Sequence, residues 1–373
     1  MQTPKQTAIP CYIMRGGTSK GLYFRAEDLP ATPDERDQLL LRLMGSPDNR
    51  QIDGLGGAHP LTSKVAIISK SSRADTDIDY LFLQVVVNKS EVSDQQNCGN
   101  ILSGVGPFAI EKGLVKAGDS VTDVRIHMLN TGSNAVARVE TPQGRVNYQG
   151  NASIDGVPGT AAPISIDFLN IAGSSCGLLF PTGKAQNVIL DVPVTCIDNG
   201  MPVVLLKASS FGLSGGESPE ELEANQTLKK QIEAIRLEAG KLMNLGDVSK
   251  KTVPKMSLMS SALQGGLINT RTFIPHRVHE AIGVLGSVSV ATACVLQGTV
   301  ASDLLKKSFN DGTIIIQVEH PTGQFIVEME VQGINDITAF TVRRAALLRT
   351  ARVLMRGEAM VPNIEEITSN VSA

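Results

Sequence analysis

Two residues in this chain have types and settings suited to moving protons. Cys98 stands in Asn97-Cys98-Gly99-Asn100, just ahead of an almost uncharged run that ends at Lys112. If that run is a helix, the cysteine sits at its N-terminus, where unpaired N–H groups and the helix dipole favour negative charge. A thiol there has its pKa drawn down and can act as nucleophile or base. The same N–H groups could instead hold a substrate carboxylate. A buried cysteine beside a turn glycine is also an ordinary structural feature. The polar Gln95-Gln96-Asn97 before it and Gly99 after it favour the functional reading. Lys64 closes Leu61-Thr62-Ser63-Lys64 and leads into the apolar Val65-Ala66-Ile67-Ile68. A lysine drawn into such a strand loses solvation, and its lowered pKa suits a proton shuttle. A plain strand-edge lysine would look the same.

Other groupings suit anion binding. Met14-Arg15-Gly16-Gly17-Thr18-Ser19-Lys20-Gly21 could form a nest of backbone N–H groups. The GxxxxGK[ST] spacing of a phosphate-binding loop is absent, and a simple strand-to-strand turn is the equal alternative. Further on come Arg271, His276, Arg277 and His279. Arginine suits bidentate carboxylate binding. Two histidines three apart could ligate a metal, but Pro275 opposes a helix there, so substrate binding or a structural loop is preferred. Cys196 and Cys294 lie in apolar stretches and read as core thiols, while Cys176 is a candidate lining residue. Asp75, Asp77 and Asp79 lack the glycine and glutamate of a calcium loop.

The elements that must position these residues are mostly short β-branched strands between Gly, Pro, Asn and Asp turns. Strands are predicted at Val65–Ser69, Tyr80–Val87, Val124–Met128, Ala135–Val139, Ile314–Val318 and Phe325–Val331. Amphipathic helices are predicted at Thr32–Met44 and Ser218–Met243, the latter capped by Ser218. Asn100–Lys112 and Ser287–Leu296 are nearly uncharged, and a helix apolar on all sides is buried. A sheet around one buried helix, twice over, is the expected α+β architecture. The halves are weakly alike: Cys98-Gly99-Asn100 matches Leu285-Gly286-Ser287, Asn130-Thr131-Gly132 matches Pro321-Thr322-Gly323, and Gly16-Gly17-Thr18 matches Pro181-Thr182-Gly183. Such a duplication places residues 1–172 in one domain and 173–373 in the other, with the last strand able to return to the first. A cleft between the halves is the expected pocket.

Composition narrows the classes. The 373 residues are 42% hydrophobic and 19% charged, which suits a packed core. A net charge of -3 opposes nucleic-acid binding, so any anion site must be local. There is no tryptophan and aromatics are 4%, which excludes a base-stacking platform. Five cysteines without a CxxC point to reduced thiols in the cytoplasm. No apolar signal core opens the chain and no run reaches the roughly 18 residues of a membrane span.

The motifs at 14–21 and 97–100, with Gln51-Ile52-Asp53-Gly54-Leu55-Gly56-Gly57 and Leu61–Lys64, occur in an order that resembles the PrpF-like isomerases, relatives of diaminopimelate epimerase. The resemblance continues through Ile154-Asp155-Gly156-Val157-Pro158-Gly159, Pro193–Pro202, Met243–Asp247, Phe273–Arg277 and Arg349-Thr350-Ala351-Arg352. Within that family, Asn97–Glu111 and Phe273–Cys294 are most similar to the branch acting on oxalomesaconate in aromatic-acid breakdown, with the 2-methylaconitate branch as the alternative. The resemblance implies two epimerase-like domains and no need of pyridoxal phosphate or metal. It maps the family's catalytic lysine and cysteine onto Lys64 and Cys98. The second cysteine of diaminopimelate epimerase falls at Leu285, which argues against a two-thiol epimerisation and for one base shifting a proton across an allylic or keto–enol system. Thr18, Ser19, Ser63, Gly99, Asn100, Arg271, His276, Arg277, Gly286 and Ser287 are the expected substrate-binding residues, for a small polycarboxylate. No nucleic acid or membrane partner is expected; a homodimer is. A non-catalytic polycarboxylate-binding protein is the rival from another class.

Overall fold

The computed structural model describes residues 6–94, 98–275, 277–305 and 307–362. The chain opens with β1 (Gln6–Gly16), β2 (Ser19–Arg25), α1 (Pro33–Met44), β3 (Lys64–Lys70), β4 (Ile78–Val85) and β5 (Val92–Ser93). Then come α2 (Gly99–Glu111), β6 (Val121–Met128), β7 (Ser133–Glu140) and β8 (Ile164–Leu169). The second half holds β9 (Asn187–Ile189), β10 (Val192–Asp198), β11 (Pro202–Lys207), α3 (Pro219–Ala224), α4 (Gln226–Leu242), β12 (Lys255–Ser261), β13 (Ile268–Ile274) and β14 (Arg277–Val278). It continues with α5 (Val284–Val295), β15 (Gly312–His320), β16 (Gly323–Gln332), β17 (Thr341–Arg349) and β18 (Ala351–Pro362). Two compact units result: residues up to Ile166 together with those from Arg349 onward, and Asp167–Leu348.

The first unit's sheet runs β18-β1-β2-β3-β4-β6-β7. The β2–β3 and β4–β6 pairs are parallel and the rest antiparallel. The second unit's sheet runs β9-β10-β11-β12-β13-β15-β16-β17. There, β11–β12 and β13–β15 are the parallel pairs. The same succession of pairings recurs, so the two halves are one topology used twice.

Each sheet buries an apolar helix on one face. Every residue of α2 from Ile101 to Ile110 is buried, and α5 is buried from Gly286 to Val295. An all-round apolar surface of this kind has no solvent face to offer. α2 packs on β1, β2, β3, β4, β7 and β18; α5 packs on β10, β11, β15 and β16. The other face of each sheet takes an amphipathic helix. Leu39, Leu40, Leu43 and Met44 of α1 meet Cys11, Leu22, Phe24, Val65 and Leu83. Leu228, Ile232, Ile235 and Ala239 of α4 meet Val194, Cys196, Val204, Leu206, Met256, Leu258 and Phe273. Burying each such side chain contributes about 1.5–3 kcal/mol, which is what holds the helices to the sheets.

Three expectations need correcting. The helix predicted over Ser218–Met243 is two helices, because Asn225 ends α3 and its side chain accepts from Leu228 N–H to cap α4. Ser218 does cap α3, in a capping box with Glu221. The second buried helix opens at Val284 rather than Ser287, with Gly283 at its cap. The counterpart of the β1–β2 turn is the Asn199–Met201 turn between β10 and β11, not Pro181-Thr182-Gly183.

Candidate active site

Lys64 is the first residue of β3 and is only 7% exposed. Its register partners are Gly21 on β2 and Gln84 on β4. Nζ donates to Gln84 Oε1 at 2.7 Å and lies 5.0 Å from the centre of the Phe82 ring. Gln84 is itself fixed, since its Nε2 donates to the Pro60 and Ser63 carbonyls at 3.1 and 2.8 Å. The amine therefore has one set position on the α2 face of the sheet. Gly21 permits the approach: a Cβ there would lie 2.4 Å from the Lys64 carbonyl oxygen.

The loop that delivers Lys64 is pinned by Gln51. Its side chain is buried, with Nε2 donating to Ser46 Oγ (3.1 Å) and Ser63 Oγ (2.8 Å), and Oε1 accepting from Ala58 N–H (2.8 Å). Gly56 packs against that amide so closely that a Cβ would lie 2.2 Å from Oε1. Ser63, fully buried, donates its own hydroxyl hydrogen bond to the Val85 carbonyl at 2.8 Å. The glycine-rich motif at 51–57 thus supports Lys64 rather than forming a cradle of its own.

Cys98 is the N-cap of α2 and is partly exposed. Its carbonyl accepts from Leu102 N–H at 3.0 Å, but its thiol makes no capping bond to the helix. Burial pushes the phenols of Tyr23 and Tyr80 well above the ordinary tyrosine value, and the second cause for both is the neighbouring Cys98. Tyr23 donates to the Ile101 carbonyl at 2.6 Å, locking the first turn of α2 to β2.

The β1–β2 turn lies against the same helix end. Asn100 Nδ2 donates to Thr18 Oγ1 at 3.1 Å. A Cβ on Gly16 would sit 2.5 Å from the Asn100 carbonyl, and one on Gly17 (φ 51°) would sit 2.2 Å from Asn100 Oδ1. Only glycines let the turn come so near. Ser19 Oγ and Asn100 Oδ1 are buried without a hydrogen-bond partner among the described residues. Orphaned polar atoms cost free energy unless something completes them. Thr18, Ser19, Gly99 and Asn100 are therefore gathered with Cys98 at one helix end.

The second unit places its expected residues differently. Arg271 is 6% exposed and donates from Nε to the Glu217 carbonyl (2.6 Å) and from Nη1 to Asn269 Oδ1 and the Thr270 carbonyl (both 2.9 Å). Ser287 is fully buried and its hydroxyl returns to the Val284 carbonyl at 2.6 Å. Gly286 is the third residue of α5, and Arg277 is exposed on β14. His276 and Gln95–Asn97 lie outside the described residues. The helix position that carries Cys98 in α2 is Gly283 in α5, and Leu285 is the second helical residue.

Sequence reasoning missed Gln51, Gln84 and Lys255. Lys255 opens β12 as Lys64 opens β3, beside Val203 on a parallel neighbour. Burial, and then the charge of Arg236, push it down to about 8. A lysine at the head of an apolar strand was the available signal for it.

The chain is 56% identical over 353 residues to the 4-oxalomesaconate tautomerase of Pseudomonas putida, covering 94% of this chain and 96% of that one. It is 56% identical over 352 residues to the (4E)-oxalomesaconate Delta-isomerase of a Novosphingobium species, covering 94% and 97%. The crystal structure of methylitaconate-delta-isomerase superposes with a TM-score of 0.81 at 34% identity, covering 96% of both chains. A doubled sheet around buried helices, shared with such enzymes, defines an isomerase of the diaminopimelate epimerase-like fold. The chain belongs to the PrpF protein family, whose model matches residues 6–362.

Proposed function

We propose that this isomerase acts on 4-oxalomesaconate in aromatic-acid breakdown, with Lys64 taking and returning the proton and Cys98 assisting from the cap of α2. The observation that carries the substrate is 56% identity over nearly the whole length to two oxalomesaconate isomerases. The buried Lys64, held at Nζ by Gln84, supplies a base of fixed position.

The chemistry balances without another reactant. The uncharged amine removes a proton from carbon next to the carbonyl, and the electron pair moves into an extended dienolate. The ammonium then returns that proton at the other end of the conjugated system, to carbon or to oxygen. Negative charge on the dienolate oxygen needs donors already in place. The first-turn N–H groups of α2, which the thiol leaves uncapped, and the Ser19 hydroxyl are suited to that task. One base serving both ends fits a helix cap at Gly283 that has no thiol.

The test supplies 4-oxalomesaconate and 2-methylaconitate separately to the purified protein and follows ultraviolet absorbance and proton NMR. Conversion of 4-oxalomesaconate as the faster substrate is expected. Conversion of 2-methylaconitate alone would refute the substrate assignment, and no conversion of either by folded protein would favour a binding role.

A further inference from the structure

Two sequence motifs contribute no side chain to the proposed Lys64–Cys98 chemistry but border its β1–β2 turn, Gly156 beside Thr18 and the Thr350 carbonyl accepting from Gly17 N–H at 2.9 Å, and they meet in the first unit. Residues of Ile154–Gly159 and of Arg349–Arg352 line a cavity of about 1100 Å³ with Arg15, Lys20 and Arg356. Thr18 and Ser19 of the β1–β2 turn line it as well, whereas neither Lys64 nor Cys98 does. No Asp or Glu lines it among the described residues.

The cations are arranged as a row. Lys20 on β2 is the register partner of Arg15 on β1, and Arg15 is the register partner of Arg352 on β18. Directly opposed residues share a face of the sheet, and like charges placed so repel. Lys20 also precedes Gly21, the partner of Lys64, so strand alternation turns the two lysines to opposite faces. Arg15 is braced for the position: Nη1 donates to the Gly17 carbonyl (3.0 Å), the Thr350 carbonyl (2.8 Å) and Thr350 Oγ1 (3.0 Å). Burial, and next the charge of Arg352, hold its guanidinium below the ordinary arginine value. Arg356 shows the contrast, because Glu111 neutralises it through two bonds of 2.7 and 3.0 Å. Among the described residues no carboxylate does this for Lys20, Arg15 or Arg352.

Three like charges side by side favour an anion that touches all of them. The row spans two inter-strand steps, about 10 Å. A single phosphate reaches only part of that length, whereas carboxylates on a short carbon chain span it. We propose that the Lys20–Arg15–Arg352 row is a second binding site of the first unit, for a small di- or tricarboxylate, separate from Lys64 and Cys98. Its occupant removes the repulsion along β2-β1-β18 and so steadies the hairpin that carries Gly16 and Gly17. The site does not depend on Lys64 being the base.

Citrate and, separately, inorganic phosphate are the probes, titrated calorimetrically at low salt into full-length wild type, Lys64→Met, Lys20→Gln and Arg352→Gln. Citrate should bind wild type and Lys64→Met alike, and about tenfold or more weakly to the other two variants, a loss of about 1.4 kcal/mol. Phosphate should bind more weakly than citrate. Turnover by Arg352→Gln without citrate should match wild type. Absence of citrate binding to wild type, equal binding to Arg352→Gln, or phosphate binding as tightly as citrate would overturn the proposal. So would loss of citrate binding in Lys64→Met, or a substrate KM that rises in Arg352→Gln in step with the lost citrate affinity. Those last two results would put the anion in the reaction site itself.

Discussion

Lys64 and Lys255 stand at the same point of a repeated topology, each opening the strand that runs parallel to the second strand of a hairpin, β2 in one half and β11 in the other. Their surroundings differ. Lys64 faces a neutral acceptor, Gln84, and the loop before it is pinned by the neutral Gln51. Lys255 follows a loop pinned by a cation: the fully buried Arg236 donates Nη1 to the carbonyls of Val248, Lys251 and Val253 at 3.0–3.3 Å. The helix end in the first unit carries Cys98 and two orphaned polar atoms, and the helix end in the second carries Gly283. Under the proposed function, only the first of the two copies of this frame carries the chemistry. A buried lysine with a depressed pKa does not mark a reaction site by itself; the groups aimed at it do.

The sharpest way to break this comparison is to exchange each lysine for methionine. Lys64→Met should lower kcat by about 10²–10⁴-fold with the fold intact, as loss of a general base does. Lys255→Met should leave kcat within about threefold of wild type, because the proposed proton transfer does not pass through it. Equal losses would make the second lysine part of the chemistry.

A middle-sized effect tests the hairpin. Gly16→Ala brings a Cβ to 2.5 Å from the Asn100 carbonyl, which is backbone and cannot swing aside. It should cost about 1–3 kcal/mol in urea denaturation, the range for overpacking, and reduce turnover. Gly113→Ala is the control, as its Cβ would meet nothing within 4 Å, so any loss there is owed only to its φ of 71°.

The smallest effect is on stability against pH. The folded pKa of Lys255, about 8, lies below its unfolded value of about 10.4. Between these values the unfolded chain binds the extra proton, so stability rises with pH across that window, and below pH 8 the penalty is fully present. Lys255→Met should therefore gain about 1–2 kcal/mol at pH 7, allowing for solvent screening, and little at pH 10.5. Denaturation at the two pH values checks the sign; an equal gain at both would separate the effect from titration.

The buried helices and the doubled sheet were legible because α5 carries no charge and α2 carries one only at its last residue, Glu111, and because β-branched runs between Gly and Asn turns read plainly as strands. The placement of Lys64 at the head of β3 and of Cys98 at the cap of α2 was legible from their neighbours. The break at Asn225 was not, since a capping asparagine leaves the apolar period of α3 and α4 almost unaltered. The partner of the β1–β2 turn was misread because Pro181-Thr182-Gly183 looks like Gly16-Gly17-Thr18 in residue type, while the true counterpart is defined by strand pairing. Gln51 and Gln84 act through contacts 12 and 20 residues away, so nothing local announces them. The Lys20–Arg15–Arg352 row depends on β18 returning to β1, which joins residues 337 apart in the chain. No membrane-spanning helix was expected, and among the described residues no helix is long and apolar enough to be one.

The central proposal is that Lys64 removes and returns the proton, with Cys98 assisting. Its most direct test is proton NMR of 4-oxalomesaconate in deuterated buffer with wild type, Lys64→Met and Lys255→Met. Wild type and Lys255→Met should isomerise the substrate and exchange its labile C–H for deuterium, and Lys64→Met should do neither. Exchange that continues at the wild-type rate in Lys64→Met would contradict the account and move the base elsewhere.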